Sequence, residues 1–154
     1  MVPQRSSTVA NRYNDGFIAG ILSGARVFAV VGASANVARP SYAVMSYLMS
    51  KGYEIHPVNP GQAGGEILGR KVYATLADVP APVDVVDIFR TSDAALAVTR
   101  EAIRLKEELA IKVVWMQIGV INEVAAREAE AAGLAVVMDR CPKIEHARLR
   151  DRLG

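Results

Sequence analysis

The residues whose types and spacing could do chemistry gather in Val27 to Ser41, VFAVVGASANVARPS. Gly32 ends a short apolar run, Ser34 and Asn36 follow as hydrogen-bond donors, and Arg39 is the nearest cation. A glycine turn opening into a helix suits an anion, because the first N–H groups of a helix lack partners within it and carry the positive end of its dipole. A phosphate group is therefore the expected ligand part. The spacing is not that of a dinucleotide fingerprint. GxGxxG places glycines for close pyrophosphate approach and helix packing, whereas here Ser34 and Val37 stand where the later glycines belong. The acidic residue that would hold ribose hydroxyls after the second strand is replaced by Val58, Asn59 and Pro60, and no GxxxxGK[ST] loop occurs. The turn fits phosphate on a ligand other than NAD or a nucleoside triphosphate.

The elements that must hold this turn follow from hydrophobic period. Phe28 to Val31 is a buried strand, and from Ser41 the pattern changes to helical spacing, with Val44 and Leu48 four apart and Gly52 closing the segment. Asn14 or Asp15 caps an earlier helix in which Phe17, Ile18, Ile21 and Leu22 share a face, ended by Gly24. Tyr53 to Val58 reads as a second strand, and Pro57 argues that it lies at a sheet edge. Pro60 to Gly69, PGQAGGEILG, reads as a mobile connection without a helix. Lys71 to Tyr73 adds a short extended piece, and Thr75 caps one turn before Pro80 and Pro82. Val83 to Phe89 is the third main strand, with Asp84 expected near its entrance. Thr91 opens a helix whose Ala95, Val98, Ala102, Leu105 and Leu109 form one stripe. Val113 to Ile118 and Leu134 to Met138 are the fourth and fifth strands, separated by a helix from Asn122 to Gly133, and a last helix follows Cys141 and Pro142. Arg148, Arg150 and Arg152 of that helix are expected to face solvent. Alternating strands and helices predict a single doubly wound parallel sheet in a three-layer α/β/α domain, with the ligand at the C-terminal strand ends near the switch point.

Composition bounds the function. A chain of 154 residues, 51% hydrophobic and 22% charged, suits one domain and leaves no room for a second catalytic one. The balance of 18 basic against 16 acidic residues is scattered, without the basic face that nucleic acid requires. No apolar run approaches a bilayer span and no signal-peptide core is present, so a cytoplasmic location without membrane contact is expected. His56 and His146 have no cysteine or carboxylate spacing that makes a metal site, and no metal is assigned. No nucleophile, base and orienting group can be assembled from order alone, which predicts a protein that is not an enzyme. Residues 1 to 12 are read as a flexible N-terminal segment and residues 13 to 154 as the ligand-binding domain.

The turn GAS with ARPS shortly after, the segment PVNPG, the strand end DIFR, the strand VVWMQIGV and the late DRCPKIEH together resemble the small bacterial CoA-binding proteins. These are single Rossmann-like domains, similar to the CoA-binding domain of the succinyl-CoA synthetase alpha subunit. The resemblance implies that coenzyme A, free or acylated, is the ligand. It implies contacts from Gly32, Ala33, Ser34, Asn36, Arg39 and Pro40 at the first turn and from Asn59 and Pro60. Phe89 and Arg90, and Trp115, Met116 and Gln117, complete the implied set. The ligase half of the larger enzymes is absent, so the resemblance implies a carrier or sensor. Two alternatives stand beside it: an NAD(P)-binding module, and a subunit of a larger acyl-CoA ligase whose protein partner is unknown. Several residues also have structural readings. Gly32 and Ala33 could be small for tight packing, Arg39 could be a solvated cation, Arg90 could form an ion pair, and Trp115 could be core. Cys141 stands at a helix start, where negative charge on sulfur is favoured and a mixed disulfide with the CoA thiol could form, or it is a small buried residue that fits beside Pro142.

Overall fold

The computed structural model describes residues 9–153, and five parallel strands form its centre. They are β1 (Val27–Val31), β2 (Glu54–Val58), β5 (Val85–Ile88), β6 (Val113–Met116) and β7 (Ala135–Val137), in the spatial order β2-β1-β5-β6-β7. β3 (Glu66–Ile67) and β4 (Arg70–Lys71) form a separate antiparallel hairpin. The helices are α1 (Asp15–Gly24), α2 (Pro40–Ser50), α3 (Ser92–Arg104), α4 (Lys106–Leu109), α5 (Glu123–Ala131) and α6 (Pro142–Leu149). Because the chain turns outward to β2 and then crosses back past β1 to β5, the switch point lies between β1 and β5.

The parallel register explains why these strands read as continuous apolar runs. Val30, Asp87 and Trp115 lie side by side across three strands, as do Val31, Ile88 and Met116, and both faces are covered. Ala29, Val31, Val86, Ile88, Val114 and Met116 pack with α3 and α5. Phe28, Val30, Val85, Trp115 and Val137 pack with α1, α2 and α6. Asp84 sits just before β5, and its carboxylate accepts the backbone N–H groups of Arg26 and Val27 at 2.8 and 2.9 Å, fastening the entrances of β1 and β5. The proline in β2 is an edge residue, since β1 is the only main-sheet strand beside it.

Two details differ from the sequence reading. Pro60 to Gly69 is ordered: a 3₁₀ turn spans Pro60–Gln62, capped by Asn59 Oδ1 accepting the Gly61 N–H at 2.8 Å, and the β3–β4 hairpin follows. Glycines at Gly64 and Gly69 with positive φ allow these tight reversals, so turn residues here encode defined geometry. Phe17 leaves the buried face of α1 and is 38% exposed, because Asn14 caps the helix through the Phe17 N–H and Phe17 stacks on Tyr13. Arg148 is exposed as expected, and it also donates to Asp15 of α1 at 2.9 Å and to the buried Glu145 at 2.7 Å. Residues 1 to 8 lie outside the described residues. Val9–Arg12 is a 3₁₀ turn, and Arg12 makes a two-pronged ion pair with Glu123 of α5. No helix among the described residues is long and apolar enough to cross a membrane.

Candidate functional site

β1 delivers the chain to Gly32 at a φ of 91°, where the Gly32 N–H donates to the Val58 carbonyl at 3.0 Å. A Cβ at Gly32 would stand 2.3 Å from the Phe89 carbonyl oxygen, so glycine is demanded by the close approach of the β1 and β5 ends. The structural reading of Gly32 is thus sufficient by itself. Beyond it the turn is braced by its own side chains. Ser34 Oγ accepts the Asn36 N–H, Asn36 Oδ1 accepts the Ala38 N–H, and the buried Ser41 Oγ of α2 accepts the Ser34 N–H at 3.1 Å. Asn59 spans the turn from β2, its Nδ2 donating to the Ala33 carbonyl at 2.7 Å. Gln62 Oε1 accepts the Ala35 N–H. The side chains of Ser34 and Asn36 therefore act first as acceptors that shape the turn, with the Ser34 hydroxyl hydrogen and the Asn36 Nδ2 left as donors.

A cleft of about 960 Å³ opens over the C-terminal ends of the strands at the switch point. Of the residues expected from the sequence, Gly32, Ser34, Arg39, Pro40, Asn59, Pro60, Phe89, Arg90 and Gln117 line it. Ala33, Asn36, Trp115 and Met116 do not. Ala33 is fully buried, and Asn36 is exposed on the outer side of the turn. Trp115 and Met116 are buried on opposite faces of the sheet, and the indole N–H of Trp115 donates to the Arg140 carbonyl at 2.8 Å. Burial answers for both. Ser41, Gln62, Lys143 and Ile144 also line the cleft and were not singled out by sequence reasoning. Ser41 is the one with a legible signal, since it directly follows the Arg-Pro that opens α2.

The charge of the cleft is one-sided. Arg39, Arg90 and Lys143 line it, no aspartate or glutamate does, and none of the three has a carboxylate partner among the described residues. Gln117 is buried, and its Oε1 has no hydrogen-bond partner. Such an acceptor is costly to leave bare and marks a place for a donor. The apolar part of the wall comes from Val44, Val120, Ile118 and Ile144. On the sheet face shared with Trp115, Asp87 is fully buried with both carboxylate oxygens unpartnered, and burial pushes its pKa well above the ordinary carboxylate range. His56 of β2 is shifted below the ordinary imidazole value by burial, partly opposed by Glu54 at 3.0 Å. Among the described residues no three His, Cys, Asp or Glu side chains are placed to hold a metal ion.

A doubly wound sheet with a cation-lined cleft at its switch point defines a Rossmann-like α/β domain. Residues 26–147 match the CoA binding domain family, and the chain belongs to that family. It is 37% identical over 127 residues to the protein YneT of Bacillus subtilis (strain 168), covering 82% of this chain and 90% of that one. A solved structure of a protein from Pyrococcus horikoshii OT3 is 38% identical, with a TM-score of 0.82, covering 90% of this chain and 93% of that one. A dinucleotide-forming acetyl-coenzyme A synthetase from Ca. Korarchaeum cryptofilum is 28% identical, with a TM-score of 0.61, over 75% of this chain and 26% of the synthetase chain.

Proposed function

We propose that this chain binds coenzyme A or an acyl-CoA in the cleft at the C-terminal strand ends, and that it does so without catalysing a reaction by itself. The observation that carries the reading is the cleft's lining of three cations and no carboxylate, in a chain of the CoA binding domain family. The turn from Gly32 to Ser34 and the start of α2 would hold the phosphates, with Arg39 supplying charge-assisted hydrogen bonds. Phe89, Gln117 and the apolar wall would take the pantetheine arm. Among the described residues nothing beside the cleft pairs a nucleophile with a base, which supports a carrier or sensor over a catalyst. A cytoplasmic location accompanies this reading.

Thermal unfolding separates this reading from an NAD(P) module. A ligand that binds only the folded chain stabilises it by mass action, about 2.7 kcal/mol at a hundredfold excess over Kd. CoA should therefore raise the melting temperature clearly more than NAD at the same concentration, and a larger shift with NAD would overturn the assignment. Incubation with acetyl-CoA, or with ATP, CoA and a free acid, should give neither hydrolysis nor thioester above buffer. Turnover that follows the protein through purification would sink the non-catalytic part of the reading.

A further inference from the structure

We propose that Cys141 is a covalent attachment point for CoA, taking it from a CoA disulfide by thiol–disulfide exchange, so that the cleft receives oxidised as well as reduced CoA. This rests on the CoA-binding reading above and adds a redox chemistry to it. Cys141 is the single cysteine of the chain, and it is 5% exposed, lining the cleft as the N-cap of α6. The second, independent observation is Gln117, which is 7% exposed, lines the same cleft and holds its Oε1 without a partner. A buried amide acceptor calls for an N–H donor, and the pantetheine arm carries two amide N–H groups on the way to its sulfur.

Reach agrees with this placement. The Arg140 N–H donates to the Met116 carbonyl, so Cys141 enters its helix beside the end of β6, two strands from the β1 turn where the phosphates would sit. Neighbouring strands lie about 4.8 Å apart, which makes that separation roughly 10 Å. From phosphate to sulfur the arm has about twelve bonds, the reach of about four extended residues or roughly 13–14 Å. The sulfur can arrive at Cys141 with slack to bend.

The exchange balances without an external oxidant. The ionised Sγ of Cys141 attacks the CoA sulfur of a disulfide CoA–S–S–R, the new Sγ–S bond forms as the old S–S bond breaks, and RS⁻ leaves. The leaving thiolate takes up the proton that Cys141 released. Cys141 is oxidised, R is reduced, and one disulfide replaces another.

The test mixes the full chain with the oxidised CoA dimer and reads intact mass under non-reducing, denaturing conditions. One adduct is expected, of the mass of CoA less two hydrogens and reversible by dithiothreitol, forming at least tenfold faster than the adduct with glutathione disulfide. Arg39→Ala should slow the CoA reaction several-fold, and urea should erase the preference. Calorimetry of the wild type with reduced CoA, reductant present, keeps the two readings apart. Binding of reduced CoA without an adduct, or an adduct that forms equally fast with glutathione disulfide, would overturn covalent attachment alone. No binding and no adduct would overturn the CoA reading and this one with it.

Discussion

At the scale of single residues, the site divides into positions that shape the turn and positions free to meet a ligand. Gly32 belongs to the first group. Gly32→Ala would place a side chain at positive φ and against the Phe89 carbonyl, costing about 1–2 kcal/mol for the backbone and about 1–3 kcal/mol for the contact. Chemical denaturation should show that loss with or without CoA. Arg39 belongs to the second group, being exposed and making no side-chain cap to α2. Arg39→Ala should weaken CoA binding by about 1.5–3 kcal/mol and change stability by under about 0.5 kcal/mol. If dephospho-CoA loses affinity equally, the arginine serves the pyrophosphate; wild-type affinity for both ligands by calorimetry would remove it from the site. The residues of the turn were legible because strand, glycine and helix start are local signals. Trp115 illustrates the opposite case, since a strand written VVWM does not say which face each side chain takes or how deep the strand lies. Lys143 and Ile144 were missed because only the fold brings the start of α6 to the mouth of a cleft opened by β1.

Among elements, α6 is the one whose placement matters most, since it presents Cys141, Lys143 and Ile144 to the cleft. Glu145 fastens it. Its carboxylate, buried to 5% exposure, accepts from Arg140 at 2.6 Å and from Arg148 at 2.7 Å, and Arg148 also reaches Asp15 on α1. Glu145→Ala strips two guanidinium groups of their shared acceptor, and a loss of about 1.5–3 kcal/mol in denaturant titration is expected, on the scale of hydrogen bonds to charged groups. An unchanged midpoint would show that α6 is held by packing alone. The sequence announced nearly every strand and helix, because caps such as Asn14, Thr91 and Asn122 and closing glycines such as Gly52 and Gly133 are local instructions. It did not announce the 3₁₀ turn and hairpin between Pro60 and Lys71. Glycine-rich stretches are compatible with many turns, and the geometry adopted is chosen by partners elsewhere, such as Val72 donating to the Gly65 carbonyl and accepting from the Gly64 N–H.

The whole molecule carries a pH dependence set by one buried acid. Asp87 has a folded-state acidity weaker than in the unfolded chain, so the folded state holds the extra proton once pH rises above the ordinary carboxylate value. Stability from this group is full below that value and falls as pH rises toward the folded one, by at most about 1.4 kcal/mol per pH unit. His56 and His146 act in the other sense. Both are shifted down, chiefly by burial, so they cost stability as pH drops below the ordinary imidazole value. Asp87→Asn should flatten the decline that begins above the ordinary carboxylate value while leaving the histidine contribution, and parallel profiles for variant and wild type would show that Asp87 is not the source. The same sheet also has guarded margins. On the outer side of β2 the Tyr73 N–H donates to the Pro57 carbonyl and the Tyr73 carbonyl accepts the Asn59 N–H, while beyond β7 the Tyr13 hydroxyl accepts the Met138 N–H. Among the described residues both margins of the sheet thus carry hydrogen bonds from outside the five strands, which shortens the stretch of ladder that another copy of this chain could extend.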